Sequence, residues 1–204
     1  MNTISVEFTG IRPLIMSNPQ TVDVSNPYAM EMRRLNTTLK QARKKGNEDK
    51  LIELAAESKR VDFMSSAYFD AKKSRFFIPD SIIMACIKAA AQSMRKGKDI
   101  DRAVLMENTE AYVDNVPKTK SLEDAHKNEL FWLQTPCKIP PKTGALVMKV
   151  RAMMPTGWKL AFQLTYDQET IADKTLREVL ITAGSFVGIG SWRPKFGRFT
   201  VAIK

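Results

Sequence analysis

Four short segments of the chain alternate apolar and polar residues, which is the pattern of a strand with one buried face. In the first of them Ile4, Val6 and Phe8 point one way, while Ser5 and Glu7 point the other. The alternating segments are 3–10, 145–153, 158–166 and 199–203. A sheet built from them must have its apolar face covered, and two predicted amphipathic helices can cover it.

The order of these helices and strands predicts the fold class. One helix is predicted to open at Pro79-Asp80-Ser81 and to continue to about Met94, and the other runs from about Ile171 to Ala183. When residues 26–78 and 99–142 are left out, the order is strand, helix, strand, strand, helix, strand. This order predicts an α+β fold with a ferredoxin-like, RRM-like βαββαβ core and an antiparallel sheet.

The two omitted segments are predicted to be insertions in one domain. The length of 204 residues suits a single domain spanning 1–204. Asn26-Pro27 predicts a helix start, so 26–60 is expected to be a helical insertion after the first strand. Pro136, Pro140 and Pro141 argue for extended chain with few ladder bonds, so 99–142 is expected to be an irregular insertion after the first core helix.

The open face of the predicted sheet should be polar and basic. In the hairpin of 145–153 and 158–166, that face is expected to carry Lys149, Arg151, Lys159, Gln163 and Thr165. The hairpin offers no aromatic pair of the kind on which RNA-recognition motifs stack bases. Stacking of bases on the sheet is therefore not expected.

A glycine-rich stretch from 184 to 199 precedes the last strand. Gly188 and Gly190 permit backbone angles closed to other residues. Three cations and two aromatic residues follow them, namely Trp192, Arg193, Lys195, Phe196 and Arg198. Exposed N–H groups, cations and aromatic rings together suit a phosphate backbone with bases stacked beside it. The alternative is a glycine-rich turn whose two aromatic residues are anchored in the core.

The charge distribution favours an anionic partner. The net charge is +10, with a pI near 9.6. Residues 138–204 carry eleven Lys and Arg against four acids, whereas 1–137 carry twenty-one against eighteen. The predicted helical insertion is also locally basic, either as a nucleic-acid surface or as a solvated face. The candidate nucleic-acid-binding residues are Lys149, Arg151, Gly188, Gly190, Trp192, Arg193, Lys195, Arg198, Arg33, Arg34 and Arg43.

Two stretches of this sequence resemble one protein family. The segment from Phe77-Ile78-Pro79-Asp80-Ser81 to Lys88 resembles the opening of the first core helix in the repeat-associated (RAMP) superfamily of CRISPR systems. The stretch from Gly188-Ile189-Gly190 to Phe199 resembles the C-terminal glycine-rich loop of that superfamily. The resemblance covers about 90 residues in the βαββαβ frame, is nearest to the Cas7-like backbone subunits, and extends to phage-encoded proteins of that type.

The resemblance implies a non-catalytic protein that binds single-stranded nucleic acid, RNA or DNA, and assembles along the strand. The expected partners are RNA and further subunits, in a homo-oligomer or a ribonucleoprotein assembly. Two other functions stay open: a metal-independent ribonuclease of the same superfamily, and a phage structural or assembly protein that needs no nucleic acid. Related backbone subunits in some CRISPR effectors cut target RNA with an aspartate in the loop after strand one. Asp23 lies in such a loop here, although a lone loop aspartate is more often a turn residue.

Other chemistry has no support in the sequence. His126, the one histidine, lies in a polar stretch without an evident partner, and the spacing of Cys86, Cys137 and His126 is not that of a zinc site. Phosphate-binding P-loop, nucleophile-elbow and dinucleotide-binding motifs are absent from the sequence, so no cofactor or metal is expected. Two cysteines, no secretory signal and no long apolar segment predict a protein of the reducing cytoplasm.

Overall fold

The structure is a computed structural model that describes residues 1–138 and 146–204, apart from the side chains of 137, 138, 146 and 147. The predicted irregular chain at Pro140 and Pro141 therefore lies outside the described residues. In chain order the elements are β1 (Asn2–Gly10), β2 (Leu14–Ile15), α1 (Pro27–Lys45), α2 (Glu48–Ser66), β3 (Phe69–Asp70), β4 (Arg75–Pro79), α3 (Asp80–Ser93), α4 (Gly97–Ala103), β5 (Val104–Met106), β6 (Glu110–Asp114), α5 (Leu122–His126), β7 (Trp132–Lys138), β8 (Leu146–Met154), β9 (Lys159–Tyr166), α6 (Asp173–Thr182) and β10 (Phe199–Ile203).

The chain forms two compact units, where the sequence predicted one domain with two insertions. The first unit consists of Met1–Ile15, Phe69–Thr119 and Met154–Lys204. The second consists of Met16–Tyr68 and Lys120–Met153, and it contains the helices of the predicted 26–60 insertion.

The first unit contains the βαββαβ core. Its antiparallel sheet has the strand order β10-β1-β9-β6-β4-β3, and β5 also pairs with β9. Val6 lies opposite Phe162 on one side and opposite Ile203 on the other. The core elements in chain order are β1, α3, β5 with β6, β9, α6 and β10, so the predicted α+β fold class is confirmed.

The second core strand is not the one that the alternation indicated. Segment 145–153 was expected to pair with 158–166, but β8 pairs with β7, and β9 pairs with β1, β5 and β6. The prediction that segment 99–142 is irregular is also wrong, because the segment contains the core strands β5 and β6. Alternation identifies the buried face of a strand and leaves its pairing partner open.

The core of the first unit lies between the sheet and the helices α3 and α6. Phe8 stacks on Phe199 with ring centroids 3.9 Å apart and meets Phe162 edge-on at 4.9 Å. Trp158 is fully buried, and its Nε1 donates to the Arg12 carbonyl at 2.8 Å. Burial of each such side chain contributes about 1.5–3 kcal/mol.

The second unit is built on the helices α1 and α2. Asn26 caps α1 by accepting the Tyr28 N–H at 2.9 Å, and Gly46 ends the helix at φ +64°. The two helices bury Leu35, Ala42, Leu54 and Val61 in a common cluster. The hairpin of β7 and β8 belongs to the same unit, and the Ala152 N–H donates to Ser66 Oγ at 2.8 Å.

Among the described residues, no helix combines the length and the apolar character needed to span a membrane.

Candidate nucleic-acid interface

The glycine loop, defined as residues 188–198, connects the end of α6 to β10. A π-helical turn, Ala183–Val187, follows α6 directly. At φ +81°, Gly190 leaves no room for a side chain, because a Cβ there would collide with the Ile15 carbonyl oxygen. At φ +71°, Gly197 is equally restricted, because a Cβ would collide with the Ile189 carbonyl oxygen. Both positions therefore require glycine for conformation and for space.

The backbone N–H groups of this loop bond largely within the protein. Gly188 donates to the Ala183 carbonyl at 2.8 Å, and Ile189 donates to the Gly197 carbonyl at 2.8 Å. Ser191 donates to the Ile15 carbonyl at 2.9 Å, and Gly197 donates to the Pro13 carbonyl at 2.7 Å. These donors are not available to a phosphate, so the glycines shape the loop and the expectation of a backbone phosphate cradle does not hold at these positions.

A second loop, residues 11–15, ends in the two-residue strand β2 and is hydrogen-bonded to the glycine loop. The N–H groups of Ile11 and Arg12 both donate to the Arg198 carbonyl, at 2.9 and 3.2 Å. These bonds bring the backbone of Arg12, an exposed residue, next to the backbone of Arg198. Sequence reasoning missed Arg12, because a single arginine after a strand carries no signal of its own.

We call the two loops together the loop surface, residues 11–15 and 188–198. It carries Arg12, Arg193, Lys195 and Arg198, and neither loop contains an acidic residue. Among the described residues, none of these four cations forms an ion pair with a carboxylate. The loop surface is therefore a region of uncompensated positive charge.

The side chains of the glycine loop differ in their exposure. Arg193 and Lys195 are exposed, whereas Arg198 is half-buried, with its Nε lacking a hydrogen-bond partner within the described chain. Lys195 Nζ lies 5.7 Å from the centre of the Phe196 ring, and that ring lies 6.1 Å from the Trp192 ring. Both residues are half-buried.

Cys86 on α3 contacts the first residue of the glycine loop. Its thiol is buried in α3 and donates to the Gly188 carbonyl at 3.0 Å. Burial raises the pKa of Cys86 to about 12, although the nearby Arg193 acts in the opposite direction. A neutral thiol is a poor nucleophile, so this cysteine has a structural contact and no evident chemistry.

Lys149 and Arg151 were expected on the open face of the core sheet, and that expectation is wrong. Both lie on β8 in the second unit. Lys149 Nζ bonds the largely buried carboxylate of Asp62 at 2.8 Å, and Arg151 Nη1 donates to Ser17 Oγ at 2.6 Å. The structure thus gives both cations partners inside their own unit.

The arginines of α1 fall into two groups. Arg34 is held by Glu31 at 2.6 Å and Glu57 at 3.1 Å, and these contacts raise its pKa. Arg33 and Arg43 are exposed, and Arg43 is followed by two lysines in the last turn of the helix. Cations at a helix C-terminus interact favourably with its dipole, which accounts for Arg43 without a ligand.

The open face of the core sheet is polar with its charges largely paired. Lys159 lies there as expected and bonds Glu7 at 2.8 Å, which lowers the pKa of that carboxyl. Thr3 and Thr165 share a hydrogen bond of 2.9 Å across β1 and β9. Sequence reasoning missed Tyr112 on β6, whose ring lies 4.1 Å from Lys73 Nζ.

The two residues considered for catalysis, Asp23 and His126, both have partners within the protein. Asp23 accepts both the N–H and the hydroxyl of Ser25, as turn aspartates do, and its pKa is lowered. His126 lies 5.2 Å from the Phe63 ring and 6.4 Å from the Trp132 ring, and burial lowers its pKa. Within the described ranges, no three potential metal ligands come together.

Comparisons with known proteins bear on the fold. No protein-family model matches the sequence, and no curated protein matches it either. The chain is similar to a chain in the cryo-EM structure of the Type III-B Cmr-beta bound to cognate target RNA, with a TM-score of 0.54 and 14% identity. The match covers 99% of this chain and 59% of that one, so this chain spans less than two thirds of its neighbour. At this identity the likeness establishes a shared fold, in agreement with the α+β architecture.

Proposed function

We propose that this protein binds single-stranded RNA without cutting it, as a subunit of a ribonucleoprotein assembly. The observation that carries the proposal is the loop surface, which holds four cations and no carboxylate. Lysine and arginine side chains displace condensed counterions from a nucleic-acid strand, and this term supplies most of sequence-independent affinity. The shared fold with a chain of an RNA-bound complex supports RNA over other polyanions.

In its finer form, the proposal assigns the protein to the Cas7-like backbone subunits, with several copies along one strand in the cytoplasm. The support for this step is the resemblance of the segments 77–88 and 188–199 and their positions at the start of α3 and at the entrance to β10. Half-buried Trp192 and Phe196 can stack on bases without selecting among them, so little sequence preference is expected.

The proposal of binding without cleavage rests on the side chains present at the loop surface. Residues 11–15 and 188–198 contain no histidine, cysteine, tyrosine or carboxylate that could act as a general base. The wild-type protein should leave end-labelled RNA intact with and without magnesium. Cleavage that Asp23→Ala or His126→Ala abolishes would favour the ribonuclease instead.

The binding test removes three exposed cations of the loop surface in the variant Arg12→Gln, Arg193→Gln, Lys195→Gln. Arg198 stays in place because it is half-buried, so that stability is left unchanged. The matched control is Lys98→Gln, Arg102→Gln, Lys174→Gln, which removes three exposed positive charges elsewhere in the first unit. Affinity for labelled single-stranded RNA is measured by anisotropy over a series of salt concentrations.

Each lost phosphate contact should lower the salt slope by about 0.7, so the loop variant should lose about 2 while the control keeps the wild-type slope. Affinity at low salt should fall by orders of magnitude for the loop variant alone. Equal losses in both variants would mean that only net charge matters, and an unaffected loop variant would remove this surface from consideration.

A further inference from the structure

We propose that the strand bound at the loop surface continues along one end of the core sheet, and that one of its nucleotides occupies a cleft beside β4 and β6. This inference rests on the proposed function and adds a second binding site to it. The cleft has a volume of about 610 Å³, within the range of small-molecule sites. Its lining includes Lys73, Arg75, Val113, Asn115 and Lys118.

The strand register connects the loop surface to this cleft. Thr9 on β1 lies opposite Thr200 and Lys159, and Lys159 lies opposite Asp114 on β6. Arg75 on β4 reaches Asp114 with its guanidinium at 2.6 Å, which continues the same row across the sheet. Five strands at about 4.8 Å spacing place the two ends of this row about 19 Å apart. One extended strand can therefore reach both sites.

The lining of the cleft contains three cations, Lys73, Arg75 and Lys118, and one carboxylate. Its one lining carboxylate, that of Asp114, is neutralised by Arg75. Lys73 donates to the hydroxyl of Tyr112 at 2.7 Å, and the nearby carboxylates of Glu110 and Asp70 raise the pKa of that hydroxyl. The backbone N–H and the charge of Lys73 in turn help to lower the pKa of the Asp70 carboxyl. Lys118 is exposed and forms no ion pair among the described residues. Two lysines at one cleft suit a phosphate group.

The rest of the cleft suits a base or a ribose. Its apolar lining comes from Phe76, Val113, Val116 and Pro117. Asn115 is held at φ +57° by the bond from its Nδ2 to the Gly157 carbonyl at 2.8 Å. This bond also joins the cleft to the turn before β9, whose Trp158 bonds the Arg12 carbonyl. The combination of apolar walls and cations is that of a site for a nucleoside phosphate.

The test compares the cleft variant Lys73→Gln, Lys118→Gln with the matched control Lys98→Gln, Lys174→Gln, which removes the same charge from the same unit. Lys118→Glu serves as a second cleft variant, because Lys118 is exposed and its replacement leaves the Lys73–Tyr112 bond in place. The probes are a labelled uridine dinucleotide, which is too short to span the about 19 Å between the two sites, and a labelled oligouridine of about 16 nucleotides, the upper limit of site size for comparable single-strand binders. Affinity and salt slope are measured for each protein.

The cleft variants should bind the long oligouridine with a salt slope lower by about 0.7–1.4 and an affinity reduced about tenfold, while the short one keeps most of its affinity. The control should match the wild type with both probes. Cleft variants that match the control would overturn the cleft alone, and the proposed function would stand. A wild-type protein that binds neither probe at low salt would overturn the proposed function and the cleft with it.

Discussion

Replacement of Gly197 by alanine tests whether backbone packing determines the shape of the glycine loop. Gly197 has φ +71°, and an added Cβ would collide with the Ile189 carbonyl oxygen. Gly157 in the same unit provides the matched control, because it has φ +94° and its added Cβ would meet its nearest neighbour, Asn115 Nδ2, at 3.5 Å. Both substitutions place alanine at a positive φ, but only the one at Gly197 brings the new Cβ into collision with a backbone atom.

The magnitude follows from the contacts at each position. An alanine in the left-handed region costs about 1–2 kcal/mol, and both variants should show this loss. At Gly197 the collision must also displace two hydrogen bonds, from Ile189 N–H to Gly197 and from Gly197 N–H to Pro13, both 2.8 Å or shorter. Each bond contributes about 0.5–1.5 kcal/mol, so Gly197→Ala should lower the free energy of unfolding by about 1–3 kcal/mol more than Gly157→Ala.

Urea unfolding followed by tryptophan fluorescence measures this difference. Trp158 and Trp192 report on the first unit, and a Trp132→Phe background removes the signal of the second. The comparison requires equal denaturant slopes for the two variants, because a changed slope would indicate a changed denatured or native state. Equal unfolding free energies for Gly197→Ala and Gly157→Ala would refute the packing argument for the loop.

Two further predictions concern the second unit. Because burial beside Phe63 lowers the pKa of His126 below its ordinary 6.5, the unfolded chain binds this proton more tightly, so the free energy of unfolding should fall as pH drops below 6.5 through the folded pKa. His126→Gln should lack that component in urea titrations at a series of pH values, and an unchanged pH dependence would contradict it. Lys149→Met should cost about 1–3 kcal/mol, since it leaves the Asp62 carboxylate buried without its partner. Adding Asp62→Asn should recover part of this loss in the same assay, and a double variant no more stable than the single one would argue against the pairing.

Much of the core could be read from local patterns. Alternation placed Ile4, Val6 and Phe8 on the buried face of β1, and all three are buried. Apolar residues at helical spacing after Pro79 indicated α3, and the structure has it at Asp80–Ser93. These features depend on residues within a few positions of one another, so the chain itself encodes them.

The partners of the strands could not be read in the same way. The strand β8 has the alternation of a core strand, yet it pairs with β7 in the second unit. Residues 107–109 separate β5 from β6, and neither strand is long enough to show a clear alternation of apolar and polar residues. Each alternating strand can satisfy its backbone groups with several neighbours, and the choice depends on contacts distant in sequence.

The candidate site likewise has features that the local sequence shows and features that depend on contacts distant in sequence. Charge and aromatic content in the sequence identified Arg193, Lys195 and Trp192, because these properties belong to the residues themselves. The hydrogen bonds between the backbones of Arg12 and Arg198 join positions far apart in the chain, and only the tertiary structure contains them. The contact between the two loops also occupies the backbone N–H groups of Ser191 and Gly197, so in the proposed function only the side-chain cations remain to bind a phosphate. Local spacing determined which residues face the core and which carry charge, whereas long-range backbone packing decided which loops lie side by side.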